Sequence, residues 1–241
     1  MIKILLVFLS ATLLSSLANA YAVAGPGIKW GAYALGTPGG NVTWSLLSAP
    51  MDCAHSSEIG NGAPLTCVSL DNYMPAGYVS EIERAFDTWS DVADINFIQV
   101  PDSNEVYNQF NPSVDIRIAG HIFDGANGAL AHAYYPTTAW WGIAGDIHFD
   151  IDDTWSIGGV GGYDIFSVAL HEIGHAMGIG HSDISSDVMA PYYNGAITGL
   201  KSGDIAAAQE IYGVAPVPLP AGLPLFAAAL MGLIGIGRSR R

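Results

Sequence analysis

The sequence predicts one α+β domain, on three observations. Apolar residues recur at strand-like spacing in five segments and at helical spacing in three. The 241 residues leave about 200 between an apolar N-terminal leader and an apolar C-terminal tail, enough for one domain with a good-sized core. No internal repeat or low-complexity stretch interrupts that span.

The elements follow in chain order. Lys3, the apolar run Ile4–Leu14 and Ala18-Asn19-Ala20 form the pattern of a secretory signal peptide over residues 1–20, cut after Ala20. Val42–Leu47 reads as the first strand. Cys53 and Cys67 come next and, in an exported protein, are expected to pair. Closing that loop of about 15 residues contributes roughly 3 kcal/mol in the chain-entropy model. Ala76–Val92 reads as an amphipathic helix, with Val79, Ile82, Ala85, Phe86 and Trp89 on one face. Ile95–Val100, Asp115–Ala119, Leu130–Tyr134 and Asp146–Phe149 read as strands. A glycine-rich loop, Gly158–Gly162, leads into a helix near Asp164–Met177. It is no phosphate loop, because no Lys-Ser/Thr pair follows it. A last helix spans Ser202–Tyr212, with Ser202 as its cap and Asp204 in its first turn.

The middle helix carries His171-Glu172-Ile173-Gly174-His175-Ala176-Met177-Gly178-Ile179-Gly180-His181. His171 and His175 are four apart, so a helix places them on one face, one turn above the other. Two imidazoles so placed bind one zinc at roughly 2.0–2.1 Å each. A further helical turn would carry a third ligand away. Gly178 is placed to end the helix in a left-handed conformation, which lets the chain return His181 to the metal. Three neutral histidines leave the fourth position to water, the pattern of a catalytic rather than a structural site. Glu172 lies between the first two and can take that water's proton as it attacks a peptide carbonyl.

His171 through His181, followed by Met189, resembles the metzincin signature with its Met-turn. Ser182 points to the matrixin branch, the matrix-metalloproteinase-like family. Val188-Met189-Ala190-Pro191-Tyr192-Tyr193 resembles that family's Met-turn and the wall of its S1′ pocket. The resemblance covers roughly Ala76–Tyr212 and is strongest over residues 115–193. It implies a metzincin or zincin-like catalytic domain: a twisted, mostly parallel five-stranded sheet with three helices and a cleft above a small lower subdomain. It implies catalytic zinc on His171, His175 and His181, with Glu172 as the catalytic base. Met189 is expected beneath the metal without ligating it. Met189, Pro191, Tyr193 and Ala131 are expected around the substrate pocket, with Leu130–Tyr134 as the edge strand that pairs with an extended peptide. Tyr192 reads equally well as core packing.

An upstream cluster resembles the family's structural metal region. His132 and His148 match two structural zinc ligands, and His121 stands near them. The family's further His-x-Asp pair comes from a longer loop that this chain lacks. That leaves either a second zinc on His121, His132 and His148 with a fourth ligand the sequence does not identify, or none. Asp124, Asp150 and Asp153 match one calcium site, completed by carbonyls near Gly125 and Asn127. Asp115 and Asp146 match another, with carbonyls around Gly142 and Ala144. Aspartates of this kind also cap turns without any metal.

Val217-Pro218-Leu219-Pro220-Ala221, an apolar stretch and Arg238-Ser239-Arg240-Arg241 resemble a bacterial PEP-CTERM sorting signal of the VPLPA kind, which a membrane sorting protease removes. A plain C-terminal anchor is the other reading, although the stretch is marginal for a span. The expected organisation is signal peptide 1–20, peptidase domain 21–215 and sorting signal 216–241. All 22 acidic residues lie between the ends, against Lys29, Arg84, Arg117 and Lys201, a net charge of −18. Such a charge disfavours nucleic acid and suits calcium. The function expected is a secreted, monomeric zinc endopeptidase acting on extracellular proteins or peptides. The alternative is an exported calcium-binding surface or matrix protein with little or very narrow proteolysis; the carboxylate at Glu172 argues against it.

Overall fold

The computed structural model describes residues 21–53, 65–107, 112–136 and 142–217. The expected signal peptide and nearly all of the expected sorting signal lie outside them. Among the described residues no helix is long and apolar enough to cross a membrane. The strands are β1 (Tyr21–Val23), β2 (Gly40–Leu46), β3 (Met51–Asp52), β4 (Thr66–Cys67), β5 (Ile95–Gln99), β6 (Ile116–His121), β7 (Ala131–Ala133), β8 (Ile147–Asp150), β9 (Trp155–Ser156), β10 (Tyr163–Asp164) and β11 (Ile179–Ser182). The helices are α1 (Tyr78–Ser90), α2 (Ile165–Ala176) and α3 (Ser202–Tyr212).

Five strands form one sheet in the order β5-β2-β6-β8-β7. The first four run parallel and β7 pairs antiparallel with β8, leaving β7 at an edge. This is the mixed sheet with three helices that the sequence predicts. Boundaries differ by one to two residues, as expected where fraying decides the end.

Side-chain alternation divides the sheet into two different faces. Ile118, Ile147 and Phe149 face the helices. Helix α1 adds Ile82, Phe86 and Trp89 to the same apolar core, with Phe86 stacked on Trp44 at 4.6 Å between ring centroids. Trp89 also donates its indole N–H to the Leu170 carbonyl at 2.9 Å, which ties α1 to α2. The opposite face carries Ala119, His121, His148 and Asp150. The hairpin of β3 and β4 covers part of that face through the Cys53–Cys67 disulfide, whose Cα atoms are 5.7 Å apart.

The N-terminal segment bears little resemblance to any motif, yet together with α3 it locks the end of α2. Ala24 N–H donates to the Gly178 carbonyl at 2.9 Å, Trp30 Nε1 to Ala176 at 2.8 Å and the Tyr212 hydroxyl to Met177 at 2.7 Å. Three carbonyls that the helix end leaves without internal partners are thereby satisfied. Gly178 has φ +97°, and a Cβ there would lie 2.3 Å from the Ile28 carbonyl oxygen. Both its dihedral and its surroundings demand glycine.

Gly178→Ala is therefore expected to lower stability by about 1–3 kcal/mol. Zinc affinity should fall with it, because the same turn aims His181. Thermal unfolding with a zinc titration checks this; an unchanged midpoint and affinity would refute the role given to the turn.

Candidate metal centre

Helix α2 starts where the Asp164 side chain accepts the Ser167 N–H at 3.0 Å, a normal N-cap. Asp164 also accepts the Gly158 N–H at 2.7 Å, which holds the glycine-rich loop against the helix start. The helix then presents His171 and His175 on one face, and the turn at Gly178 sends β11 back with His181.

The three imidazoles converge. His171 Nδ1 donates to the Val188 carbonyl at 2.8 Å and His175 Nδ1 to Ile179 at 2.7 Å. A carbonyl only accepts, so these bonds assign the proton to Nδ1 and leave Nε2 bare for a metal. His175 Nε2 lies 3.2 Å from His181 Nε2. Two nitrogens on a tetrahedral zinc stand about 3.3 Å apart. One ligand atom from each of the three lies within 4.8 Å of the others. Burial pushes His171 down to about 4 and His175 to about 3. Neighbouring histidines contribute to both shifts, and both side chains stay neutral, as metal ligation requires.

Glu172 is 5% exposed, and its Oε2 has no hydrogen-bond partner. Burial raises its carboxyl to about 8. A buried carboxylate without a partner is costly, and a nearby cation or a bound water relieves that cost. The donor set therefore fits zinc at this position.

Met189 is fully buried, its sulfur against Gly174 of α2, and does not line the cleft. A Cβ on Gly174 would come within 2.3 Å of the Met189 sulfur, so the glycine inside the histidine motif makes room for the methionine. Asp204, 1% exposed, accepts the N–H groups of Val188 at 3.0 Å, Met189 at 3.1 Å and Lys201 at 2.8 Å. It clamps this turn to the start of α3. The sequence reading made Ser202 the helix cap and kept Asp204 as a first-turn charge. Instead Lys201 occupies the cap position and Asp204 accepts its backbone N–H. Only tertiary proximity reveals that its other two donors lie about 15 residues earlier.

A cleft of about 710 Å³ opens over the three histidines. Ala131, Pro191 and Tyr193 line it, together with Glu172. The Tyr193 hydroxyl accepts the Asp164 N–H at 3.1 Å. Tyr192 points outward at 80% exposure, which removes its core reading. Tyr135, which the sequence did not single out, also lines the cleft and stands edge-on to His175 at 5.8 Å between centroids.

His121, His132 and His148 form a second convergent group, within 4.8 Å of one another. Strand register explains it: His132 lies opposite His148, and β6 brings His121 beside both. His121 Nδ1 donates to the Ile122 carbonyl at 3.1 Å. Among the aspartates, Asp124 accepts the Ala129 N–H, Asp150 those of Phe123 and Asp152, and Asp153 that of Asn127. Asp153 Oδ2 is buried without a partner. Burial raises this carboxyl, and Asp150, Asp124 and Asp152 raise it further. Such a cluster fits a hard cation. Asp115 accepts both the N–H and the hydroxyl of Thr43, and Asp146 the Arg117 N–H, so each already serves the sheet.

The model of the family described as Matrixin matches residues 69–213. Karilysin from Tannerella forsythia is 44% identical over 132 residues, 55% of this chain and 28% of its own length. The hatching enzyme of Paracentrotus lividus is 41% identical over 143 residues, 55% of this chain and 22% of that protein. Human matrix metalloproteinase-16 is 40% identical over 143 residues, 55% of this chain and 23% of that protein. The matched stretch thus spans less than a third of each of these relatives.

The raised Glu172 carboxyl predicts how the metal-free chain responds to pH. The folded state holds a proton there that the unfolded state releases above about 4.5. This group's contribution is thus complete at low pH and is lost as pH rises toward about 8, at on the order of 1 kcal/mol per pH unit. Chemical denaturation of metal-free Glu172→Gln should lack that decline; parallel curves for the two proteins would contradict it.

Proposed function

This chain belongs to the matrixin family of zinc metalloendopeptidases, and on that premise we propose that it is exported and cleaves extracellular proteins or peptides. The observation that carries the proposal is the convergence of three histidine side chains, beside a buried unpartnered carboxylate, at the floor of an open cleft.

In this reading His171, His175 and His181 hold the catalytic zinc and Glu172 is the catalytic base. Zinc, when bound, supplies a Lewis acid and lowers the pKa of a water to roughly 7. The substrate adds as a strand along the free edge of β7 beside Ala131, which fixes the scissile carbonyl over the histidines. Glu172 takes the proton from the attacking water and delivers it to the departing amine nitrogen. The low dielectric around Glu172, which raises its proton affinity in the metal-free chain, also makes it a strong acceptor. Pro191 and Tyr193 form the wall that receives the side chain after the cut, and the loop 194–200 sets the depth of that pocket.

The reading extends to the supporting metals. Asp124, Asp150 and Asp153 bind calcium with carbonyls near Gly125 and Asn127, and the buried, unpartnered Asp153 oxygen supports this. Asp115 and Asp146 form a second calcium site. His121, His132 and His148 bind a structural zinc. Export removes residues 1–20, and the pairing of Tyr21 with Ser182 supports a fold that starts at the next residue. A sorting protease of a bacterial host removes residues 216–241, and the mature domain, 21–215, acts as a monomer.

Glu172→Ala is expected to lower kcat by about 10²–10⁴ on casein or a mixed peptide library while zinc content stays at the wild-type level. A folded, zinc-loaded wild type that cuts neither would favour the narrow or non-proteolytic alternative. Calcium at a hundred times its dissociation constant should stabilise the chain by about 2.7 kcal/mol, a gain that Asp153→Asn mostly removes. A melting temperature indifferent to calcium would end the first calcium assignment.

A further inference from the structure

The disulfide and the second histidine group share one face of the sheet. Cys67 ends β4, and the next residue makes two backbone hydrogen bonds with β6: Val68 N–H to Gly120 at 2.8 Å and Gly120 N–H to Val68 at 3.0 Å. A Cβ on Gly120 would meet the side chains of Leu70 and Ile151 at 2.8 and 2.5 Å, so a larger residue there would have to push them aside. Cys67 is thereby held against Ala119, the residue in register with His148. Its sulfur lies 3.9 Å from His148 Nε2. A sulfur and a nitrogen on the same tetrahedral zinc are about 3.6 Å apart.

We propose that Cys67 is the fourth ligand of a His121–His132–His148 zinc site whenever the Cys53–Cys67 bond is reduced, so that the disulfide and the metal compete for one sulfur. The proposal rests on the reading of these three histidines as a zinc site. The chemistry closes in two steps. Two equivalents of a thiol reductant convert the disulfide into two cysteine thiols and leave as the reductant's own disulfide. Cys67 then gives its proton to solvent as the thiolate displaces water from the metal. Exchange with a small-molecule disulfide as the oxidant reverses both steps: it is reduced to two thiols, the Cys53–Cys67 bond re-forms, and a three-histidine site is left with water in its fourth position. Before oxidation the newly made chain would thus hold its hairpin by zinc, and after oxidation by the covalent bond. The sequence contains just two cysteines, so any metal–thiolate signal must come from this pair.

Cobalt(II) loading tests it, because a thiolate on cobalt gives a near-ultraviolet charge-transfer band that imidazole does not. Cys53→Ser keeps Cys67 as a free thiol without added reductant. That variant should take up two cobalt ions and show the band. Oxidised wild type and Cys67→Ser should show none. In chelator competition, the second site of Cys53→Ser should bind zinc roughly tenfold or more tightly than oxidised wild type. A folded Cys53→Ser holding two cobalt ions without the band would overturn the Cys67 assignment and leave the histidine site standing. Uptake of a single ion by every form would overturn the histidine site as well. Should Cys53→Ser not fold, wild type reduced under nitrogen serves instead, with zinc present. Unfolding of that form would also overturn the proposal, since the metal must then replace the bridge.

Discussion

The chain reversal at Gly178 governs this molecule. Two histidines on one helical face are a local feature, but the third must arrive from a strand running the other way. That strand approaches only because a residue with positive φ ends α2 at the right turn. The exposed end of the helix then needs partners for its carbonyls. They come from the far ends of the chain: Trp30 and Ala24 before the sheet, and Tyr212 in the last helix. Metal geometry, helix termination and closure of the domain are one constraint, and damage to any of them reaches the histidines.

A second clamp works from the opposite side. The histidine motif contains Gly174, Gly174 admits the Met189 sulfur, and Asp204 holds the methionine turn by two backbone N–H groups. His171 in turn hydrogen-bonds to the Val188 carbonyl of that turn. The orientation of a metal ligand therefore passes through the turn to a buried carboxylate on α3. Burial raises the Asp204 carboxyl, while the three backbone N–H groups it accepts lower it. Through these contacts His171, the methionine turn and Asp204 hold one another in place.

The two sheet faces divide the work. One is apolar and packs α1 and α2, which carries most of the hydrophobic stabilisation. The other is polar and holds the second histidine group near the aspartate cluster, roofed in part by the disulfide hairpin. A polar sheet face is normally wet. Here it is buried: His121, His148 and Asp150 are shielded from water, and Asp153 just beyond β8 has a buried oxygen without a partner.

The sequence by itself determined whatever depends on short spacing. The His171/His175 face, the Gly178 turn, the amphipathic α1 with Phe86 and Trp89 inward, and the five strands all follow from periodicity or local backbone preference. The pairing of Cys53 with Cys67 was expected from the export signal, which implies an oxidising compartment, and the fold forms it. Tertiary structure decided what depends on residues far apart in the chain. Asp204 is an ordinary first-turn acid until the fold brings Val188 and Met189 to it. Trp30 belongs to no motif, yet it caps α2 across the domain. Cys67 and His148 are 81 residues apart, and only the register of β4, β6 and β8 places sulfur beside nitrogen. Local patterns encode which groups a chain carries and how each element runs. The contacts that orient those groups arise from the packing of the whole, where many long-range pairs are satisfied together and none has a spacing to betray it.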